Sequence, residues 1–144
     1  MAPLATRLAA ANSMARDRRI KVLDLETRLG TSYTVDTVSA IRRLYPKTRF
    51  VWLMGADNLK QIRHWRRWRD IFYQLPIAVL DRPTYALAAL SELAARYFRH
   101  RRLSPRAATR LAARRPPAWT FLGIPLDSRS ASDIRAQRQE KSGH

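Results

Sequence analysis

The chain has 144 residues, enough for one domain with a real core. It carries 28 Lys and Arg against 11 Asp and Glu, a formal net charge of +17, and no cysteine. Disulfides, thiolate metal sites and a cysteine nucleophile are thereby excluded, no apolar run approaches the roughly 18 residues of a membrane span, and a 46% hydrophobic share argues against global disorder.

The absence of disulfides fits a reducing cytoplasm, the expected location. The first residues lack a basic start followed by a long apolar region, so they do not read as a signal peptide. The positive field attracts RNA, DNA, acidic membranes or nucleotide phosphates, and charge alone does not choose among them.

Residues 3–16 are alanine-rich, with Leu4, Leu8, Ala11 and Ala15 at helical spacing and Pro3 suited to a first turn. Residues 19–26 alternate apolar and polar at Ile20, Val22 and Leu25, with one slip, and read as a strand. A loop follows. Ser32 or Thr34 can cap a helix through about Leu44, with Val35, Val38, Ile41 and Leu44 on one face.

Residues 50–54, Phe-Val-Trp-Leu-Met, form a short apolar run of the kind found in strands covered on both faces. Gly55 ends it, and Asp57 or Asn58 can cap the helix behind it. Residues 75–80 are a second buried strand, closed by Asp81-Arg82-Pro83. Residues 87–98 read as an amphipathic helix and 105–114 as a short one. Pro116-Pro117 breaks the chain before a third strand at 119–124. A polar loop leads to a last helix at about 133–140, capped by Ser132, and residues 141–144 read as a frayed tail. Alternation of strand and helix gives the expected fold class: α/β, with a parallel sheet in a single domain over residues 1–140.

In such a sheet, ligands sit at the carboxyl ends of the strands. Asp57 is then placed to accept hydrogen bonds from ribose hydroxyls, or is an ordinary helix cap. Arg82 after a strand end suits a phosphate, or is a surface arginine. Ser130-Ala-Ser-Asp-Ile-Arg135 offers free backbone N–H groups and Arg135 to an anion, or is a capped helix start. Trp65 and Trp68, three apart, would share a helix face and either stack on a flat ring or pack in the core. His64 beside them is ambiguous, and His100 and His144 lack plausible partners. No Gly-rich phosphate loop and no metal-ligand spacing appears.

Four segments together resemble nicotinate-nucleotide adenylyltransferase, a bacterial family of the nucleotidyltransferase superfamily with a Rossmann-like fold. They are Ser32-Tyr-Thr-Val-Asp-Thr-Val38, Trp52-Leu-Met-Gly-Ala-Asp-Asn-Leu59 with Trp65 and Ile71, Asp81-Arg-Pro83, and Ser130-Ala-Ser-Asp-Ile-Arg135. The resemblance covers about residues 3–138. It implies transfer of AMP from ATP to nicotinate mononucleotide, with release of pyrophosphate and with Mg²⁺ accompanying ATP.

By the resemblance, Tyr33 and Thr34 line the nicotinate pocket and Trp65 stacks on the pyridine ring. Gly55 and Asp57 hold the adenosine side, Arg82 lies near adenine and ribose, and Ser132 and Arg135 hold the ATP phosphates. The family also has an opening strand and a loop, Gly-Gly-x-Phe-Asp/Asn-Pro-x-His-x-Gly-His, whose histidines stabilise the transferring phosphoryl group. That motif is absent from this sequence, so no catalytic residue is assigned. The expectation is a fragment, or a start assigned too far downstream. The doubly wound sheet is accordingly expected to be incomplete in its N-terminal half, with residues 50–54 at an unpaired edge. Two alternatives are a basic nucleic-acid-binding module and a catalytically dead nucleotide-binding remnant.

Overall fold

The computed structural model describes residues 3–81 and 86–124. Its centre is a parallel four-stranded sheet of order β1-β2-β4-β3, built from β1 (Trp52–Gly55), β2 (Ile77–Asp81), β3 (Arg102–Leu103) and β4 (Trp119–Gly123). Trp52 lies opposite Ile77, Ile77 opposite Trp119, and Trp119 opposite Arg102, so all four strands start at one end of the sheet. The α/β class with a parallel sheet is thus as expected. β2 is central, and its Ile77, Ala78 and Val79 are buried, which is why this segment reads as a continuous apolar run.

The helices are α1 (Leu4–Met14), α2 (Leu25–Leu29), α3 (Thr34–Leu44), α4 (Ala56–Gln61), α5 (Trp68–Gln74), α6 (Ala86–Leu90) and α7 (Leu93–Tyr97). Short 3₁₀ turns occupy Ile62–His64 and Arg99–Arg101, and a longer one occupies Pro105–Ala113. The main core joins Val35 and Val38 of α3, Met54 of β1, Leu59 of α4, Ile71 and Phe72 of α5, and Trp119 and Phe121 of β4. Phe72 stacks on Phe98 at 4.3 Å between ring centroids, and Trp68 meets both rings edge-on at 6.1 Å. The Trp119 indole N–H donates to the Phe98 carbonyl at 2.9 Å, which satisfies its buried polar atom.

Several expectations are corrected. Residues 19–26 form no strand. The Ile20 amide closes a turn on the Asp17 carbonyl at 3.0 Å, α2 begins at Leu25, and Gly30 ends α2 in the left-handed conformation at φ 62°. Alternation supplies a face, but a strand also needs a neighbour for its N–H and C=O groups, and none lies beside this segment among the described residues. The helix expected over residues 87–98 is two helices, because Ser91 and Glu92 interrupt it and Glu92 is extended. The helix expected at 105–114 is a 3₁₀ helix starting with Pro105. β3 was not expected, since two residues carry no periodicity. The helix expected at 133–140 and the tail at 141–144 lie outside the described residues.

Candidate functional site

β1 and β2 end side by side, with Gly55 opposite Leu80 and Asp81 one residue further on. The chain passes from Gly55 directly into α4, so Gly55 itself is the N-cap, with no side-chain cap. Neither Asp57 nor Asn58 caps this helix, as the sequence had suggested. Asp57 is instead the second helical residue, exposed at the strand end. Its carboxylate folds back over the turn: a Cβ on Gly55 would collide with Asp57 Oδ1 and lie 3.6 Å from its Cγ. A side chain at Gly55 would have to displace the exposed Asp57 carboxylate, while the backbone φ of −79° there suits any residue.

Asp81 closes β2 on the same rim. One of its carboxylate oxygens is buried with no hydrogen-bond partner among the described residues. Such an oxygen is costly unless a donor reaches it. In sequence, Asp81 is signalled only as an acid that ends an apolar strand.

A second cluster forms around the start of α3. Tyr33, half-exposed, is the N-cap and no side chain caps the helix, so neither Ser32 nor Thr34 does so. Thr34 is the first helical residue and is half-buried. The hydroxyls of Thr31 and Thr37 share a hydrogen bond of 2.7 Å, and the Thr37 amide donates to the Tyr33 carbonyl at 3.1 Å. These bonds hold the loop against the helix and so fix Tyr33. The Arg66 guanidinium lies over the Tyr33 ring, 4.9 Å from its centroid. The structure thus brings Tyr33 beside the segment carrying Trp65.

Trp65 and Trp68 do not share a helix face. The chain leaves its 3₁₀ turn at Trp65, which is extended at ψ 144°, and Arg67 takes the left-handed conformation at φ 48° before α5 begins. The Arg67 side chain pairs with Asp70 at 2.7 Å across the first turn of α5. The break separates two fates. Trp68 is buried in the aromatic cluster, whereas Trp65 is half-buried, packed against the core from its edge. His64 is exposed, and its Nε2 accepts from Arg63 Nε at 3.1 Å.

Gly55 with Asp57 at the end of β1, and Tyr33 with the Trp65 segment, are two separate clusters of candidate site residues. Arg82, Ser132 and Arg135 lie outside the described residues. Among the described residues no group of three or more His, Asp or Glu could hold a metal ion. No helix among them is long and apolar enough to cross a membrane.

No family model matches the chain. Curated relatives do. A protein of Gluconobacter oxydans named "Probable nicotinate-nucleotide adenylyltransferase" is 47% identical over 139 residues, which is 96% of this chain and 71% of that one. A protein of the same name from Parvibaculum lavamentivorans is 51% identical over 135 residues, 94% of this chain and 67% of its own. The chain belongs to the nicotinate-nucleotide adenylyltransferase family. In three dimensions it resembles a Plasmodium falciparum nicotinic acid mononucleotide adenylyltransferase complexed with APC, at a TM-score of 0.59 and 15% identity, over 94% of this chain and 62% of the other. That likeness supports the Rossmann-like fold.

Proposed function

We propose that the chain acts in NAD biosynthesis by joining nicotinate mononucleotide to the adenylyl group of ATP. A phosphate oxygen of the mononucleotide forms a bond to the α-phosphorus of ATP, the bond from that phosphorus to the bridging oxygen breaks, and pyrophosphate leaves. The observation that carries this reading is the 47–51% identity with relatives of that name, over nearly the whole chain. It includes the segments that supply Tyr33, Thr34, Gly55, Asp57 and Trp65.

In this reading Asp57, exposed at the end of β1, accepts from the ribose hydroxyls of ATP, and Gly55 leaves room for that carboxylate. Trp65 offers its accessible flank to the cationic pyridine ring, with Tyr33 and Thr34 at the edge of the same pocket. Such stacking is worth about 0.5–2 kcal/mol. Arg82, Ser132 and Arg135 complete the nucleotide side through adenine and the phosphates. Mg²⁺ accompanies ATP as part of that substrate, held by phosphates and water rather than by a dedicated protein cage. A substrate pair of this kind and a chain without cysteine fit the cytoplasm.

The test follows binding and turnover separately. Quenching of tryptophan fluorescence should report nicotinate mononucleotide, and chromatography should report the dinucleotide formed with ATP. Trp65→Ala should weaken mononucleotide binding by about 2–30-fold, the equivalent of the stacking energy above, while ATP binding stays unchanged. Equal loss for both ligands, or none for either, would reject the assigned role of Trp65.

A further inference from the structure

We propose that the sheet end opposite the candidate site is a sequence-nonspecific nucleic-acid-binding surface, with single-stranded RNA as its test ligand. Between Glu92 and Asp127 the chain holds eight arginines and not one acidic residue. The fold gathers these charges. His100, Arg101 and Arg102, entering β3, and Arg114, Arg115 and Pro117, leading into β4, line one open groove of about 260 Å³. Arg101, Arg102, Arg114 and Arg115 are all exposed, and no ion pair forms in this region among the described residues.

The groove is separate from the adenylyl-transfer rim. Arg102 lies level with Trp119, Ile77 and Trp52 at the start of the strands, whereas Gly55 is three residues along β1. At ~3.3 Å per residue and ~4.8 Å per strand, that is about 10 Å along the sheet and about 14 Å across it.

The chemistry of the groove points to phosphodiesters. Arginine presents a planar fork of donors matched to phosphate oxygens. Arg102 is held in place, with its guanidinium 5.7 Å from the Trp119 ring centroid and 5.9 Å from that of Phe121. A bilayer is a poorer fit, because no large apolar side chain is exposed from Arg99 to Ala118 that could enter lipid. The same stretch has no Phe, Tyr or Trp on which bases could stack. Binding is therefore through the backbone: independent of base sequence and strongly dependent on salt.

The test uses the full chain, a fluorescein-labelled 20-nucleotide RNA and fluorescence anisotropy. The expected log–log slope of affinity against salt is about −3, as for four to five neutralised phosphates on a single strand, and purine and pyrimidine runs should bind alike. The variant R101E/R114E/R115E should weaken binding by roughly tenfold or more. R18E/K21E/R43E removes the same net charge from other exposed positions and should weaken it by no more than about threefold. R101K/R114K/R115K keeps the charge that neutralises the phosphates and should bind within about threefold of the parent. Circular dichroism melts confirm that each variant is folded, and the wild-type salt slope stands even where one is not. Equal weakening by the two Glu triples, a flat salt slope, strong base preference, or binding to phosphatidylserine vesicles but not to RNA would overturn the proposal.

Discussion

Helices α1 and α3 are each eleven residues long, and they reach that state by opposite routes. α1 is rich in alanine, a strong helix former, yet it buries no residue. α3 is rich in Thr and Val, which are weak helix formers, yet Val35, Thr37 and Val38 are buried. Its Ser39 hydroxyl also bonds Gln74 of α5 at 2.9 Å. One helix is supported by backbone propensity and the other by tertiary contact. An isolated helix of this length is marginal in water, so only the second kind contributes to the cooperative body of the protein. The contrast extends to the neighbouring segment, where Ile20 and Leu23 are 60% and 50% exposed.

The largest effect that would test this contrast comes from placing a carboxylate on each helix. Val38→Asp puts a charge into a site that is 1% exposed, among Val35 and the aromatic core. It is expected to abolish the cooperative thermal transition, since an unpaired buried charge costs several kcal/mol against a total of about 5–15. Leu8→Asp, on a helix that packs against little, is expected to change stability by no more than about 0.5 kcal/mol in urea titrations. A comparable loss from both would mean that α1 is as firmly docked as α3.

A smaller effect concerns local opening. Amide protons of α1 are expected to exchange close to the rate of free peptide, while those of Ile77–Asp81 in β2 exchange only through global unfolding. Slow exchange in α1 would show that its helical hydrogen bonds are protected by contacts other than those its burial reveals.

The same division explains what was legible in the sequence. β1, β2 and β4 were readable because buried parallel strands write their environment as apolar runs. The alternation at residues 19–26 looked equally good, but a period of two does not say whether a partner edge is present, and none lies there among the described residues. In the candidate site, Gly55, Asp57, Tyr33 and Trp65 are named through the family resemblance of their segments, which says nothing of their geometry. The carboxylate of Asp57 over Gly55 is a tertiary detail of the turn. The separation of Trp65 from Trp68 depends on Arg67 in the left-handed region, a conformation that arginine seldom takes and that no local signal announced.

The smallest expected effect lies in the exposed region itself. Asp17 accepts from Arg19 through the backbone amide at 2.9 Å, Nε at 3.1 Å and Nη2 at 2.7 Å. These bonds, the side-chain ones foremost, hold its carboxyl below the ordinary carboxylate range and raise Arg19 in turn. A carboxyl lowered in the folded state adds stability above its unfolded pKa, and that contribution is lost as pH falls through the folded value. Here the pair is exposed to solvent and screened, and it orders a turn that joins no core. Asp17→Asn should therefore leave the urea midpoint at pH 7 unchanged, while the Ile20 amide, which bonds the Asp17 carbonyl at 3.0 Å, exchanges faster. A shifted midpoint would mean that order in this turn is transmitted to α3 and the sheet, and the two regions would then be one cooperative unit.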